Sequence, residues 1–300
     1  MSIQESTLSR DHGVHSPAGA VEAERRWRKR ISGLLGTVMK AEVLAVIEIG
    51  LVLPAALAYC TSADEKIRER HYQAWQVIAA WNGKTGDGGR IDALEDLNRD
   101  RVPLRGVEVA GAYLDSVWLA GADMKHARLE NATLKGADLT GVFLARSTAT
   151  HADLNGARAP DADFVFASAD TASFYGVTLC RTLFLGASLR RAHFGAAVLD
   201  SADFRGADLR GAVFSGDTVP PGTRFDGANV AGVTPARFAL AAVARGAVLE
   251  PDSARWEARR ASIDIALKKL WVRADTIRRS RLENESPARL QCEARPARGT

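Results

Sequence analysis

Any chemistry in this 300-residue chain would have to start from a few scattered groups. Gly83-Lys84-Thr85 has the residue types that close a phosphate-binding loop, where backbone N–H groups and the lysine cradle phosphates. That loop needs a glycine five residues before Gly83, and Ile78 stands there instead. The sequence has no nucleophile elbow Gly-x-Ser-x-Gly, no His-Glu-x-x-His zinc helix and no dinucleotide fingerprint. Cys60, Cys180 and Cys292 are far apart, which implies neither a disulfide framework nor a metal set. The most regular candidates are Asp123, Asp163 and Asp203, which recur at multiples of 20 residues. Two carboxylates work as general acid and base only across a cleft that holds a substrate between them. Whether these aspartates line one depends on the element that carries them.

That element is a repeat. In "ADFRGADLRGAVF", Ala202 to Phe214, the large residues Phe204, Leu209 and Phe214 stand five apart, each preceded two positions earlier by Ala202, Ala207 or Ala212. Five steps turn an α-helix by about 500°, which separates successive large residues by about 140°, and on a strand an odd step alternates faces. The chain must instead turn about once per repeat to give them a common interior. Counting back in fives from Phe214 reaches Leu104 without a slip. Of these 23 central positions only Ala149, Ala159 and Ala169 are not Leu, Phe, Met or Val, so the pattern is not chance. The residue two before the centre is Ala at 16 of them, as a second inward position with little room requires. A one-residue insertion in "DTVPPGTRF" shifts the frame, and Phe225 and Val230 carry it to a close near Gly232.

Phenylalanine sets the number of repeats per turn. Phe164, Phe184 and Phe204 form one series of period 20, and Phe174, Phe194 and Phe214 a second, offset by ten. Four repeats per coil place the two series as stacks facing each other across a square core, with Leu189 and Leu209 on a third side and Leu179 and Leu199 on the fourth. Successive coils are then expected about 4.8 Å apart, the spacing of paired strands. The other three positions of each repeat face water, consistent with Asp before many centres and Lys or Arg after others. His126, His151 and His193 fall at outward positions on no common side, so no metal site is expected. A square rod filled by side chains has no cleft, and its regularly spaced aspartates read as a solubilising pattern.

The motif Ala-(Asp/Asn)-Leu-x-x, present as "GADLTG", "HADLNG", "DADFVF", "SADFRG" and "GADLRG", resembles the pentapeptide-repeat family. The resemblance covers about 130 residues. It implies an all-β solenoid core, a right-handed quadrilateral β-helix of 20 residues per coil, here with flanking α-helices, and a bacterial protein. Known relatives include DNA mimics that bind DNA gyrase and give fluoroquinolone resistance. Between Val102 and Gly232, 14 acidic residues face 12 basic ones, so this rod lacks the strong negative charge that mimicry of phosphates needs.

The remaining chain divides around the rod. Residues 1–24 read as a disordered tail, and 25–63 as a basic cluster, "ERRWRKR", followed by an apolar helix. Its cleanest part, "VLAVIEIGLVLPAALAYC" at 43–60, carries one charge, Glu48, and as a helix is about 27 Å long against a hydrocarbon core of about 30 Å. It is long enough to anchor in a membrane, and the basic cluster before it favours a cytoplasmic N-terminus. The layout also resembles that of membrane-linked pentapeptide-repeat proteins. Residues 64–100 read as connecting and N-terminal capping helices, with Ile67, Tyr72, Trp75, Ile78 and Trp81 as packing residues. The β-helix is assigned to 101–232, a C-terminal cap beginning at Thr234-Pro235 to 233–250, a basic amphipathic helix to 251–285 and a tail to 286–300. In the amphipathic helix Trp256, Ile263, Leu270 and Ile277 recur every seven residues. They are available for packing on the same chain or for a homodimer seam.

These features describe a non-enzymatic, membrane-associated scaffold that presents surfaces to a protein partner. It is expected to need no cofactor or metal, and nucleic acid is not its expected partner. The alternative is a soluble, cytoplasmic DNA mimic that binds DNA gyrase or topoisomerase IV.

Overall fold

The computed structural model describes residues 24–26, 28–29 and 64–284. The chain divides into two compact units, Met1–Ile67 and Arg68–Thr300. In the first, the described residues are helical, and Arg28 Nη2 pairs with Glu24 Oε1 at 2.9 Å, one helical turn away. The stretch at 43–60 lies outside the described residues, among which no helix is long and apolar enough to cross a membrane.

The second unit is built on the five-residue period. Residues 104–248 climb through four ladders of parallel bridges, each joining residues 20 apart, as in Glu108 to Arg128 to Thr148 to Ser168. A single bridge per side is all the chain makes before it turns, so only His193–Phe194 (β1) and Val213–Phe214 (β2) are longer than one residue, paired in parallel. The turns have one design. The carbonyl of each central residue accepts from the N–H three residues on, as in Ala112 N to Val109 O at 3.1 Å. The residue between needs a positive φ, which is why Gly106, Gly111, Gly121 and Gly136 recur there. Where the corner is Arg146, His151, Phe166 or Arg191 the same φ of 54–60° is held without glycine, a left-handed conformation disfavoured by about 1–2 kcal/mol. The insertion near Pro220 lengthens the step to 21, as in Asp203 to Arg224, and the ladders continue past Gly232 to Val248.

Central and pre-central residues fill the interior. Phe164, Phe184, Phe204 and Phe225 stack at 4.9–5.2 Å, and Phe174, Phe194 and Phe214 at 4.9 Å. Edge-to-face contacts such as Phe164 to Phe174, 5.9 Å at 86°, join the two columns across the rod. Leu179, Leu189, Leu199 and Leu209 are buried on the other two sides.

Both ends are closed. Residues 64–80 form α1 and Arg90–Arg99 form α2, whose Leu94 and Leu97 bury against the first coil. Of the packing residues expected in α1, Ile78 is buried and Trp75 packs partly, but Ile67 and Tyr72 are exposed, because the helix meets the rod only through its last two turns. At the far end α3, Ala236–Val243, inserts Phe238 onto Phe214 at 4.3 Å. Helix α4, Ser253–Asn284, then returns along the side of the rod.

Candidate interaction surface

The four sides differ in what their solvent-directed positions carry. Side 1 has its centres at Met124, Leu144, Phe164, Phe184 and Phe204, and holds Asp123, Asp163 and Asp203 in one column. All three carboxylates are engaged: Arg105 pairs with Asp123 at 2.7 Å, Arg205 with Asp203 at 2.6 Å, and Trp271 Nε1 donates to Asp163 at 3.2 Å. They line no cleft.

Side 1 also departs from the expectation that the outer positions face water. Ala145, Val165 and Leu185, each one residue after a centre and 20 apart, are buried together with Leu267 of α4, and Phe166, Leu183 and Trp271 pack at their edge. The cause is α4. Arg210 donates to the Ser253 hydroxyl at 2.7 Å, Arg190 reaches Glu257 at 3.2 Å, Arg260 donates to the carbonyl of Gly186, and Lys125 lies 5.7 Å from the Trp271 ring. Taken in order, these contacts carry the helix down the rod from the coil of Arg210 to that of Lys125. Trp256 is fully buried, so the first residue of the expected heptad is used within the chain. The helix meets the rod through Trp256, Arg260, Leu267 and Trp271, a stripe that stays within about 60° around the helix at 100° per residue. The side chains of Ile263, Leu270 and Ile277 lie outside the described set.

Side 2 has its centres at Leu129, Ala149, Ala169, Leu189 and Leu209, and bears a shallow cavity of about 350 Å³ bordered by Asp170, Arg190, Arg191, Arg210 and Ser253. Beneath it Asp208 is fully buried and receives both Arg190 Nε, at 2.7 Å, and Arg210 Nη2, at 2.6 Å. Burial opposes its ionisation, but hydrogen bonds from the two guanidinium groups outweigh that and hold the carboxyl below its ordinary range. The same contact raises the pKa of Arg210. In this charge cluster Arg190 pairs with Asp208 and Glu257, and Arg210 with Asp208.

Side 3 has its centres at Leu134, Leu154, Phe174, Phe194 and Phe214. Its solvent-directed residues from Asn155 to Gly216 include no Lys, Arg, Asp or Glu: they are Asn155, Ser173, Tyr175, His193, Val213, Ser215 and small corner residues. Tyr175 is half exposed, and its ring stacks on His193 at 5.7 Å and 18°. Both rings lie across Gly195, where an added Cβ would come within 2.7 Å of His193 and 2.9 Å of Tyr175. The outcome is a level, uncharged tile of two aromatic rings on a rigid sheet. Sequence reading missed it; the signal was Gly195 one coil above Tyr175.

Side 4 has its centres at Leu139, Ala159, Leu179 and Leu199. Here Thr140, Asp161 and Cys180 occupy solvent-directed or corner positions yet are buried. Cys180 is disulfide-bonded, a bond that the wide spacing of the three cysteines does not by itself imply; Cys60 and Cys292 lie outside the described residues.

The remaining chemical candidates are placed apart. The Gly83-Lys84-Thr85 loop folds around the guanidinium of Arg90, which donates to the carbonyls of Trp81, Lys84, Gly86 and Asp87 and leaves no phosphate cradle. His126, His151 and His193 do not meet, and no group of His, Cys, Asp or Glu among the described residues could hold a metal.

Among protein-family descriptions, "Pentapeptide repeats" matches residues 110–146 and 184–216 in eight copies. Residues 110–146 and 184–216 are thus pentapeptide repeats. With its four ladders of parallel bridges, the rod that contains them is a β-helix. Among solved structures, a pentapeptide repeat protein from the cyanobacterium Cyanothece 51142 aligns at 23% identity over 30% of this chain and 58% of its own, with a TM-score of 0.27. HetL of Nostoc sp. strain PCC 7120, a pentapeptide repeat protein involved in heterocyst differentiation regulation, aligns at 26% over 43% and 65%, with a TM-score of 0.21. A trypsin-treated form of QnrB1, a plasmid-mediated fluoroquinolone resistance protein, aligns at 19% over 53% and 83%, with a TM-score of 0.31. The chain thus spans 58–65% of the length of the first two. No curated protein sequence matches it. The outer positions of this pentapeptide-repeat rod, rather than its interior, are where it differs from side to side.

Proposed function

We propose that this protein is a non-enzymatic recognition rod, tethered to a membrane through residues 31–60, which presents side 3 to a protein partner. The observation that carries the reading is the column Ala145, Val165 and Leu185 under Leu267. It is an example, within this molecule, of solvent-directed repeat positions that receive a helix from outside the repeat. With side 1 met by α4, and Arg190 and Arg210 of side 2 held in ion pairs, side 3 offers a flat, rigid and uncharged surface. Its Tyr, Ser, Asn and Gly content is that of surfaces that bind proteins through rigid aromatic anchors and small polar neighbours.

Rigidity supports the same reading. A stacked phenylalanine core holds the side 3 residues at fixed spacing, so a partner would lose little free energy in ordering the rod. The tether rests on the apolar stretch at 43–60 and its basic flank. Expressing the chain with and without residues 31–60 and washing membranes with high salt and then alkaline carbonate tests it. The full chain is expected to stay in the pellet and the deletion to be soluble; a full chain soluble from the start overturns the tether and leaves the recognition rod to be tested on its own.

A further inference from the structure

Two rows of corner residues border the uncharged tile of side 3, and they differ in charge. The corners after side 3 are Gly156, Gly176, Ala196 and Gly216; those before it, shared with side 2, are His151, Thr171, Arg191 and Gly211. Arg191 is therefore the single Lys, Arg, Asp or Glu on either border of the tile. It is exposed, at a corner with φ 54°. Its side chain passes beside Gly211, one coil on, where an added Cβ would come within 3.3 Å of Arg191 Cγ. The guanidinium has no hydrogen-bond or ion-pair partner among the described residues.

Arg191 also borders the cavity of about 350 Å³ on side 2. The other two cations there are engaged, Arg190 by Asp208 and Glu257, and Arg210 by Asp208. Asp170, the carboxylate of the cavity wall, accepts from the Ser188 hydroxyl at 2.6 Å and from the Arg190 backbone N–H at 2.9 Å. Arg191 is left as the cation without an acid, at the edge where the cavity meets the tile.

We propose that the partner docking on side 3 brings an Asp or Glu beside an apolar residue, the carboxylate entering the side 2 cavity onto Arg191 while the apolar residue lies on Tyr175 and His193. The inference rests on the reading of side 3 as the recognition surface and names the chemistry of what it recognises. Arg191 and His193 are two residues apart, so the two contact points are separated by no more than about 7 Å along the backbone, within reach of neighbouring residues in one segment. A guanidinium offers a carboxylate two parallel, charge-assisted hydrogen bonds, which fix orientation as well as adding energy. Tyr and Arg are also the residue types that anchor protein interfaces most often. A basic residue brought to the same place would meet Arg191 with no carboxylate free to pair with it, so the corner selects against basic segments.

The test is photocrosslinking in cells that express the full chain with a photoreactive residue in place of Tyr175, in the background of Arg191, Arg191→Glu or Arg191→Lys. Arg158→Glu on side 4 serves as the control for net charge. The adduct is expected to fall about tenfold or more in Arg191→Glu, the loss of a hydrogen-bonded charge pair, and to persist in Arg191→Lys and Arg158→Glu, with thermal melting unchanged in all three. The crosslinked segment of the partner, identified by mass spectrometry, is expected to hold an Asp or Glu beside the crosslinked residue, and changing that acid to Lys is expected to restore the adduct with Arg191→Glu. An undiminished adduct in Arg191→Glu, an equal loss in Arg158→Glu, or a crosslinked segment without an acid overturns the acidic partner and leaves side 3 as the recognition surface. No intermolecular adduct from the chain that keeps Arg191 overturns the side 3 reading and this proposal with it.

Discussion

The ring of Phe238 lies 4.3 Å from that of Phe214, stacked within 10°, and extends a column that begins at Phe174 inside the repeat. Phe238 belongs to helix α3, outside the five-residue frame. The helix therefore closes the rod by supplying the next ring of the core, which removes the exposed end that stacked repeats would otherwise present.

The core stacks make the interior the most sensitive part of the rod. Phe184 is fully buried between Phe164 and Phe204 and meets Phe174 and Phe194 edge-on. Phe184→Ala is expected to lower unfolding free energy by about 3–5 kcal/mol. Arg158→Ala, at an exposed position, is expected to change it by about 0.5 kcal/mol or less. Chemical denaturation of the two variants checks this. Arg205 is unsuitable as the neutral control that its outward position suggests, because it pairs with the buried Asp203.

Acid stability has a named origin. Asp208 has its folded pKa depressed, so the stability it contributes is present above the ordinary aspartate pKa of about 4 and is lost as pH falls through the folded value. Thermal melts of the full chain are expected to shift down progressively below about pH 4. Asp208→Asn is expected to be less stable at neutral pH, with Arg190 and Arg210 left facing each other, and to show a weaker pH dependence. A parallel pH profile in the two proteins would contradict the assignment.

Helix α4 is expected to leave the rod without unfolding it. Leu185→Asp places a charge in the apolar column beneath Leu267, where a buried charge without a partner is strongly disfavoured. Hydrogen exchange over 256–272 is expected to accelerate, with protection of the Phe184–Phe204 core retained. Loss of protection in both would show that α4 is part of the core rather than a ligand of it.

The five-residue period was legible because nearly every repeat states it, and interior packing leaves little freedom at the centre or two residues before it. Three features were not legible, each for a physical reason. Ala145, Val165 and Leu185 are ordinary residues when read in order; only a 20-residue register aligns them, and the pattern alone cannot say that a helix 80 residues later covers them. The aromatic tile depends on Gly195 being small beside Tyr175, a relation across one coil rather than along the chain. Arg90 reads as one more surface cation, yet it is fully buried as the hub of four backbone carbonyls. In the C-terminal helix the seven-residue spacing left packing on the same chain and a dimer seam both open; Trp256, Arg260, Leu267 and Trp271 meet the rod along a straight-helix stripe.

The most direct measurement is site-specific photocrosslinking in cells that express the full chain, with a photoreactive residue in place of Tyr175 on side 3 or of Leu185 on side 1. The account predicts a discrete adduct with one other protein from position 175, lost when Gly195→Trp roughens the tile. From position 185 it predicts adducts only within the chain, to α4. No intermolecular adduct from position 175, or the same adduct from both positions, would contradict the assignment of side 3 as the recognition surface.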